Sequence, residues 1–370
     1  MFRERGLGLP PLDFRAMDRR DILRRRLHNQ RLRGTPGETP ERVVRELAAM
    51  QAQEHAYAKW SVAQRTDGLS RAEVVRALAE GYILRTHVLR PTWHFVTAAD
   101  IRWLLSLTAP RIHARNAHRY RELGLDDAVF ARSRATLIRS LRGGRHLTRK
   151  EIVARFEEGG IAASGPRLAH LLMHAELEGV VCSGRLRGKQ QTYALLEERA
   201  PEAGSLDRDE GLAELTHRYF TSRGPATLKD FGWWSSLTVA EVRRGVEMLG
   251  SELQSEVVED RTYWFAGPPP PHRSGSPIVD LLQGYDEYII SYSESREVMF
   301  PPAAPRRDPV FMHAILLDGE LIGHWRHALK RDQVVIETRL HRRLGSGAAR
   351  ALEAAVELYG RYLELPAVLA

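Results

Sequence analysis

The chain has 370 residues, of which 43% are hydrophobic, and this excludes an intrinsically disordered protein. Its 55 Lys and Arg against 47 Asp and Glu give a formal net charge of +8, which favours polyanionic partners such as nucleic acid. The single Cys182 excludes an internal disulfide framework, and the lack of any apolar run near ~18 residues predicts a cytoplasmic protein with no membrane partner.

The first predicted element is a basic helix. Its arginines outnumber its two acids, Asp18 and Asp21. They are Arg15, Arg19, Arg20, Arg24, Arg25, Arg26, Arg31 and Arg33. Such a concentration of cations favours contact with a polyanion.

Three later segments share one helix-start pattern. In each, a Leu precedes a hydroxyl residue, and Glu follows the hydroxyl residue by three positions. The pairs are Ser70 with Glu73, Thr148 with Glu151, and Thr238 with Glu241. This spacing predicts capping boxes, in which both side chains satisfy free N–H groups of the first turn. Three boxes with the same flanks indicate that one kind of unit is reused.

A β-rich stretch follows each helical region. The stretches span 82–97, 179–196 and 253–267, and each has β-branched and aromatic residues around a turn. Helices followed by a two-stranded ribbon describe a winged helix, which is a variant of the helix-turn-helix. The three predicted winged-helix units span 15–120, 121–203 and 207–267.

The pattern changes to strands after the Pro-rich run at 267–272. The strand-like segments are 278–292, 310–329 and 333–340. Asp318-Gly319, between two apolar runs, is a strong hairpin signal. Residues 275–345 are therefore predicted to form a small β-barrel or sheet, and 346–370 a final helix. The predicted fold class is α+β, mainly α, with tandem winged-helix units followed by a small C-terminal β-barrel.

The chain lacks the common catalytic and metal-binding motifs. It contains no Gly-rich phosphate loop, no HExxH and no zinc-ligand spacing, so neither a cofactor nor a metal site is expected. His113, His118 and His174 are scattered and are interpreted as surface or core residues.

Two pairs of neighbouring residues could belong either to a functional site or to the structural framework of the protein. Asp286-Glu287 could supply a carboxylate for acid or base work, but capping a turn or pairing with a local Arg is the favoured interpretation. Trp233-Trp234 is expected to fill the core of the third unit.

The middle ribbon has a cationic tip, formed by Arg185, Arg187, Lys189 and the adjacent Gln190, and we call these four residues the ribbon tip. A cationic two-stranded tip can enter a DNA groove and place guanidinium groups on phosphates. The alternative is a solvated hairpin kept soluble by its charge. With three winged-helix units predicted in one chain, DNA contact is favoured.

Several of these segments resemble the winged-helix DNA glycosylases of the AlkZ type, the azinomycin-resistance family, which includes the YcaQ branch. The resemblance covers nearly the whole chain. The matching segments are QAQ (51–53), LRPTWHFV (89–96), RLRGKQQTYALL (185–196), LLQGYDEYIISY (281–292) and LLDGELIGHWRH (316–327). The resemblance implies a concave DNA-binding surface built from tandem winged helices and a β-barrel. It also implies excision of alkylated purines, including unhooking of interstrand crosslinks.

The resemblance assigns the catalytic pair of the family to Gln51 and Gln53. The YcaQ branch has Asp at the second position, so Gln53 groups this chain with the AlkZ branch. His94, which lies in a matching segment, joins the ribbon tip as an implied DNA contact.

Two departures from the family lie beside this pair. Relatives commonly have Asp-Pro where this chain has Glu54-His55, and often have Gly where this chain has Pro91. We expect both departures to affect the substrate range.

Two neutral amides suit the removal of a cationic base. Alkylation at purine N7 makes the base positive and weakens its bond to the sugar, so the leaving group needs little or no protonation. Amide oxygens can then accept from the attacking water and face the sugar cation, while the NH₂ groups anchor to DNA or protein. Residues i and i+2 share a side only in an extended or turning backbone, so the pair is expected between two helices.

The predicted protein is a monofunctional DNA N-glycosylase, a hydrolase acting on double-stranded DNA with alkylated purines or crosslinks. It is expected to be a monomer associated with the nucleoid. The main alternative is a non-enzymatic winged-helix transcription regulator, which would bind selected sequences and release no base. A catalytically silent DNA-damage binder is the third possibility, and it would leave alkylated DNA intact.

Overall fold

A computed structural model describes residues 16–270, 275–300 and 310–370, and its N-terminal region combines helices with a three-stranded sheet. The elements of this region are α1 (Arg19–Asn29), α2 (Pro40–Glu46), β1 (Met50–Gln51), α3 (His55–Ala63), α4 (Arg71–Glu80), β2 (Ile83–Val88), β3 (Arg90–Thr97) and α5 (Ile101–Glu122). Strand β3 lies between β1 and β2 and is antiparallel to both. The predicted ribbon at 82–97 is therefore present as β2 and β3.

Two further helical regions follow, and each contains a β-ribbon. The middle elements are α6 (Asp127–Leu141), β4 (Leu147–Thr148), α7 (Arg149–Glu158), α8 (Gly165–Leu177), β5 (Val181–Ser183), β6 (Thr192–Leu195) and α9 (Leu196–Arg199). The next are α10 (Arg208–Arg223), α11 (Leu228–Ser235), α12 (Val239–Leu249), β7 (Gln254–Val258) and β8 (Arg261–Phe265). The antiparallel pairs β5–β6 and β7–β8 confirm the other two ribbons. The division into three winged-helix units stays a prediction.

The predicted capping residues begin three of these helices. Thr148 and Thr238 each form the full reciprocal box with the Glu three positions later, at the starts of α7 and α12. Ser70 accepts the N–H of Glu73 at the start of α4, which is half of the box. Each cap satisfies a free N–H group of the first turn and contributes about 1 kcal/mol.

The C-terminal region is an open, curled five-stranded sheet packed against a helix. Its elements are β9 (Val279–Leu282), α13 (Glu287–Ile290), β10 (His313–Leu317), β11 (Glu320–Leu329), β12 (Val334–Leu340), α14 (Ser346–Leu363) and β13 (Ala367–Leu369). The order is β13-β12-β11-β10-β9, with β12–β13 the parallel pair. Asp318 and Gly319 form the predicted hairpin turn, with φ of 50° and 88°. Both angles lie in the left-handed region that this type of turn requires.

The predicted small β-barrel or sheet is present as a curled, open sheet rather than as a complete barrel. In the described ranges β9 and β13 are the two edges and do not pair with each other. In a complete barrel the inner face of the sheet packs against opposing strands. Here helices pack against the sheet instead: Val356 and Tyr359 of α14 share a core with Trp325 of β11 and Trp60 of α3. Among the described residues helices still outweigh strands, as predicted.

Two local predictions are wrong in part. The strand predicted at 278–292 stops at Leu282, and the chain then turns into the short helix α13. Trp234 is fully buried as expected, but Trp233 is 51% exposed. Both lie on α11, where consecutive side chains point about 100° apart, so the two rings cannot face one core together.

Two hydrophobic cores meet at the segment before α3. Ala48 and Ala49 belong to the larger core, which joins the three helical regions. Met50 and Ala52 belong to the second core, which joins α2, α3 and α14 to the C-terminal sheet. The main chain around residue 51 is therefore fixed from both sides. Even α5, the longest helix, is not a candidate membrane span, and none of the other described helices qualifies.

Candidate functional site

The two glutamines lie where α2 gives way to α3, outside any helix. Met50 and Gln51 form β1, which pairs with β3 so that Gln51 stands opposite His94. The N–H of Ala52 donates to the carbonyl of Trp93 at 2.7 Å, and Arg85 Nε donates to the Ala52 carbonyl at 3.0 Å. This is the extended helix-to-helix junction that the i, i+2 spacing predicted.

Gln51 is 7% exposed and held at two points. Its side-chain Oε1 accepts from Arg90 Nη2 at 2.8 Å. Its main-chain N–H donates to Glu287 Oε1 at 2.7 Å. Because a guanidinium group only donates, the amide must present its oxygen to Arg90. The orientation of this side chain is therefore fixed by chemistry.

Gln53 is exposed and less restrained. Its Oε1 lies 3.4 Å from the main-chain N–H of Trp93. This distance is beyond the usual range for an N–H···O bond, so the contact is weak. The two amides therefore differ in mobility, with one fixed at the edge of the core and the other free to adjust to a ligand.

Glu287 is a buried anion behind Gln51, with 1% exposure. Its Oε2 accepts from Arg223 Nη2 at 2.7 Å, from Trp234 Nε1 at 2.8 Å and from Ser291 Oγ at 2.9 Å. Burial by itself would raise the pKa of the carboxyl group, but the nearby cations, with Arg223 foremost, outweigh it and lower the pKa to about 2. Glu287 is thus ionised at neutral pH and cannot act there as a general acid.

Asp286 confirms the favoured structural interpretation of the Asp286-Glu287 pair. It accepts the N–H of Tyr288 at the start of α13 and forms an ion pair with Arg65 at 2.6 Å. Neither side chain of this ion pair is exposed. Both acids pair with arginines distant in sequence, rather than with the local Arg that was expected.

His94 is fully buried, which argues against its predicted role as a direct DNA contact. Its Nδ1 donates to the carbonyl of Thr92 at 3.0 Å, and Nε2 lies 3.5 Å from Arg90 Nη2. Burial, followed by the charge of Arg90, lowers the pKa of His94 to about 3, so the ring is neutral. A duplex docked on this conformation cannot reach it.

The departures from the family lie close to Gln53. Burial raises the pKa of Glu54, and burial with the nearby Lys59 lowers the pKa of His55 to about 3. Pro91 lines a cavity of about 210 Å³ together with Trp93 and Tyr193. Trp93, which lines this cavity, also lies next to Gln53, since its main-chain N–H is 3.4 Å from Gln53 Oε1.

The ribbon tip is exposed in the loop between β5 and β6. Arg187 donates to Glu151 Oε1 at 2.6 Å and to the carbonyl of His146 at 2.7 Å. Arg185 Nε donates to the carbonyl of Ala79 at 3.1 Å. The protein therefore holds both arginines in place, and Arg187 forms an ion pair with Glu151, which also caps α7. DNA contact by these residues stays a prediction.

The arginines of the opening helix mostly stabilise the fold. Arg26 is fully buried, donates to the carbonyl of Pro225 at 2.9 Å and stacks on Tyr292 with 3.6 Å between guanidinium carbon and ring centre. Arg33 makes two bonds to Asp280, at 2.8 and 2.7 Å. Arg15 lies outside the described residues, and Arg31 and Arg33 follow the end of the helix. The composition therefore overstated the basic face of α1.

One group of side chains bears on the expectation of no metal site. His113 of α5 and His174 of α8 lie with Glu178 so that one ligand atom of each falls within 4.8 Å of the others. The histidines were interpreted as surface or core residues, and both are partly buried. His174 stacks on Phe130 with 3.6 Å between ring centres.

Sequence reasoning missed Arg90 and Glu287 as neighbours of the glutamines. Both lie inside the segments that carried the family resemblance, at 89–96 and 281–292. The available signal was the presence of charged residues inside apolar runs, where a charge needs a buried partner.

The known proteins that this chain resembles carry related descriptions. A family model described as DNA glycosylase AlkZ-like matches residues 44–362. The interstrand DNA cross-link repair glycosylase of Streptomyces sahachiroi is 26% identical over 326 residues, which cover 83% of this chain and 87% of that protein. The solved structure of Streptomyces sahachiroi DNA glycosylase AlkZ has a TM-score of 0.73 at 23% identity. It covers 96% of this chain and 100% of that chain, which shows a shared fold.

Proposed function

The chain belongs to the family of AlkZ-like DNA glycosylases, and on that basis we propose that it hydrolyses the N-glycosidic bond of N7-alkylated, cationic purines in duplex DNA. The observation that carries this proposal is the pair of amides at the junction between α2 and α3. Gln51 is fixed by Arg90 and Glu287, while Gln53 is exposed beside it. The Streptomyces relative is described as a crosslink repair glycosylase, so we include interstrand crosslinks among the substrates.

The surroundings of the glutamines suit a leaving group that needs no protonation. Glu287, with a pKa of about 2, and His94, with a pKa of about 3, do not change charge near neutral pH. Neither group can therefore protonate the base. A base already made positive by alkylation leaves without a general acid, whereas a normal purine does not. Selection for alkylated bases follows from this chemistry.

Water is the proposed nucleophile, which makes the enzyme monofunctional. The described groups that hydrogen-bond to the two side-chain amides are the guanidinium group of Arg90 and the main-chain N–H of Trp93, and neither is an amine. Lys59 is buried on α3, and within the described residues it makes no hydrogen bond to either glutamine. The product is an abasic site with an intact strand.

The ribbon tip is the proposed contact to the phosphate backbone. Its cations, together with the net charge of +8, would attract a duplex before the damaged base is engaged. We propose that a monomer binds the duplex and that the protein works with the nucleoid in the cytoplasm.

The test is release of base from defined DNA. The protein is incubated with a duplex that carries one 7-methylguanine and with a crosslinked duplex, and abasic sites are detected as strand breaks after alkali. An unmodified duplex and the Gln51→Ala, Gln53→Ala double variant are the controls. We expect breaks only with the parent protein on modified DNA. Tight binding without breaks would favour the regulator or the silent damage binder.

A further inference from the structure

The amide of Gln51 turns its oxygen to the protein and leaves its nitrogen free. Arg90 Nη2 donates to Gln51 Oε1 at 2.8 Å. Within the described residues the nitrogen has no protein partner, and it is not among the buried unpaired atoms. Within the described residues the two N–H groups of this amide are therefore unpaired donors, while its oxygen already accepts from Arg90 and keeps one lone pair.

The main chain that carries Gln51 is clamped by a buried ion pair. Glu287 accepts the N–H of Gln51 and pairs with Arg223 at 2.7 Å. Arg223 in turn donates to the carbonyls of Leu47 at 2.8 Å and Ala49 at 2.9 Å. Residues 47–51 are thus held by one anion and one cation, neither of them exposed beyond 1%.

A donor at this place suits an oxygen of DNA better than the attacking water. Water has two lone pairs, one of which must reach the sugar carbon, and a donor on the other would draw electron density from the oxygen and weaken its attack. A phosphate or sugar oxygen, by contrast, offers lone pairs that take no part in the reaction. Gln53 is unconstrained enough to accept from the water.

We propose that Arg90 and Glu287 are positioning residues that make Gln51 a hydrogen-bond donor to an oxygen of the DNA backbone beside the damaged nucleotide. Gln53 is then the residue that accepts from the water. The assignment rests on the proposed excision reaction and divides its chemistry between the two glutamines.

The test compares Gln51→Glu with Gln51→Ala in single-turnover release of 7-methylguanine, with duplex affinity measured in parallel. A carboxylate can pair with Arg90, but it donates nothing and repels phosphate. Gln51→Glu should therefore lose about 10²-fold in rate, at least as much as Gln51→Ala. If Gln51 works as an acceptor, Gln51→Glu will match or exceed the parent, and the proposal is overturned.

Arg90 is tested through the orientation that it imposes. Arg90→Met should lower the rate about 10-fold with affinity nearly unchanged, because the amide becomes free to flip. Arg90→Lys keeps a donor to the amide oxygen and should recover more than half of that loss on a logarithmic scale. Arg33→Met breaks the ion pair with Asp280 instead and should keep the parent rate. Equal rates for the parent and Arg90→Met would contradict the positioning role.

Neutral methylphosphonates placed one at a time beside the damaged nucleotide identify the acceptor. If the acceptor is a phosphate oxygen, one of these substitutions will remove most of the difference in single-turnover rate between the parent and Gln51→Ala. If the difference persists at every position while Gln51→Glu stays impaired, the acceptor is a sugar oxygen. A parent protein that releases no base refutes the proposed function itself, whereas an active parent matched by Gln51→Glu refutes only this assignment.

Discussion

Replacing Glu287 with Gln should cost both stability and excision. The variant keeps the shape of the side chain but removes the charge that pairs with Arg223, and its NH₂ group must face a donor that the carboxylate satisfied. The pKa of Glu287 falls from 4.5 to about 2 in the folded protein. At 1.36 kcal/mol per unit this corresponds to about 3 kcal/mol. Removing one partner of a buried ion pair typically costs about 3–5 kcal/mol, which agrees.

The sign of the pH dependence follows from the lowered pKa. A carboxyl group with a depressed folded-state pKa stabilises the fold fully above its unfolded pKa, and this contribution is lost as the pH falls through the folded value. The difference in the free energy of unfolding between the parent and Glu287→Gln should therefore be largest near pH 7 and shrink between about pH 4.5 and 2.

Urea unfolding followed by circular dichroism measures the loss of stability, and single-turnover release of 7-methylguanine measures the activity. Asp286→Asn is the matched control, because it breaks the neighbouring buried pair with Arg65 without touching Gln51. Asp286→Asn should lose stability but keep the excision rate, whereas Glu287→Gln should lose about 10-fold or more in rate. A Glu287→Gln variant that unfolds at the parent's urea concentration and excises at the parent's rate would refute the reasoning.

Three further predictions use the same assays. Changing the three cations of the ribbon tip to Ala should weaken duplex affinity for all sequences. The slope of log affinity against log salt concentration should also fall in magnitude, by up to about 0.9 for each phosphate that the variant no longer neutralises. An unchanged slope would exclude the ribbon tip from the DNA interface. Gln53→Ala should lower excision by about 10²–10³-fold with affinity retained, and Gln53→Asp should be milder because a carboxylate still accepts from water. Parent-like excision by Gln53→Ala would exclude a role in holding the water. The single-turnover rate should stay flat between about pH 6 and 8, since Glu287 and His94 titrate near 2 and 3; a bell-shaped profile there would reveal an unrecognised acid or base.

Local features of the fold could be predicted from the sequence, but whether the C-terminal sheet closes into a barrel could not. The capping pair Thr238 and Glu241 and the turn Asp318-Gly319 depend on residues three or fewer positions apart, so the sequence contains the whole cause. Closure of the C-terminal sheet depends on which face the distant helix α3 covers, and no local pattern records this.

The same division applies to the candidate site. Family resemblance assigned Gln51 and Gln53, and the extended geometry followed from their spacing. Arg90 and Glu287 stand out in the linear sequence only as charges inside apolar segments, and their partners are set when β3 and α13 pack beside β1. His94 was misplaced for a related reason, since a strand residue inside a matching segment can face the core as easily as the solvent.

The hydrogen bond between Gln51 and Glu287 spans 236 positions and has a consequence for biosynthesis. At about 5–20 residues per second, a ribosome needs on the order of 10–50 s to travel from one codon to the other. During that interval the nascent chain can fold its first helical regions, yet the main chain at Gln51 still lacks its anion. A chain that terminates before residue 287 would lack both this anion and the C-terminal sheet that shares a core with α2 and α3. The geometry of the glutamine segment is therefore completed only near the end of synthesis.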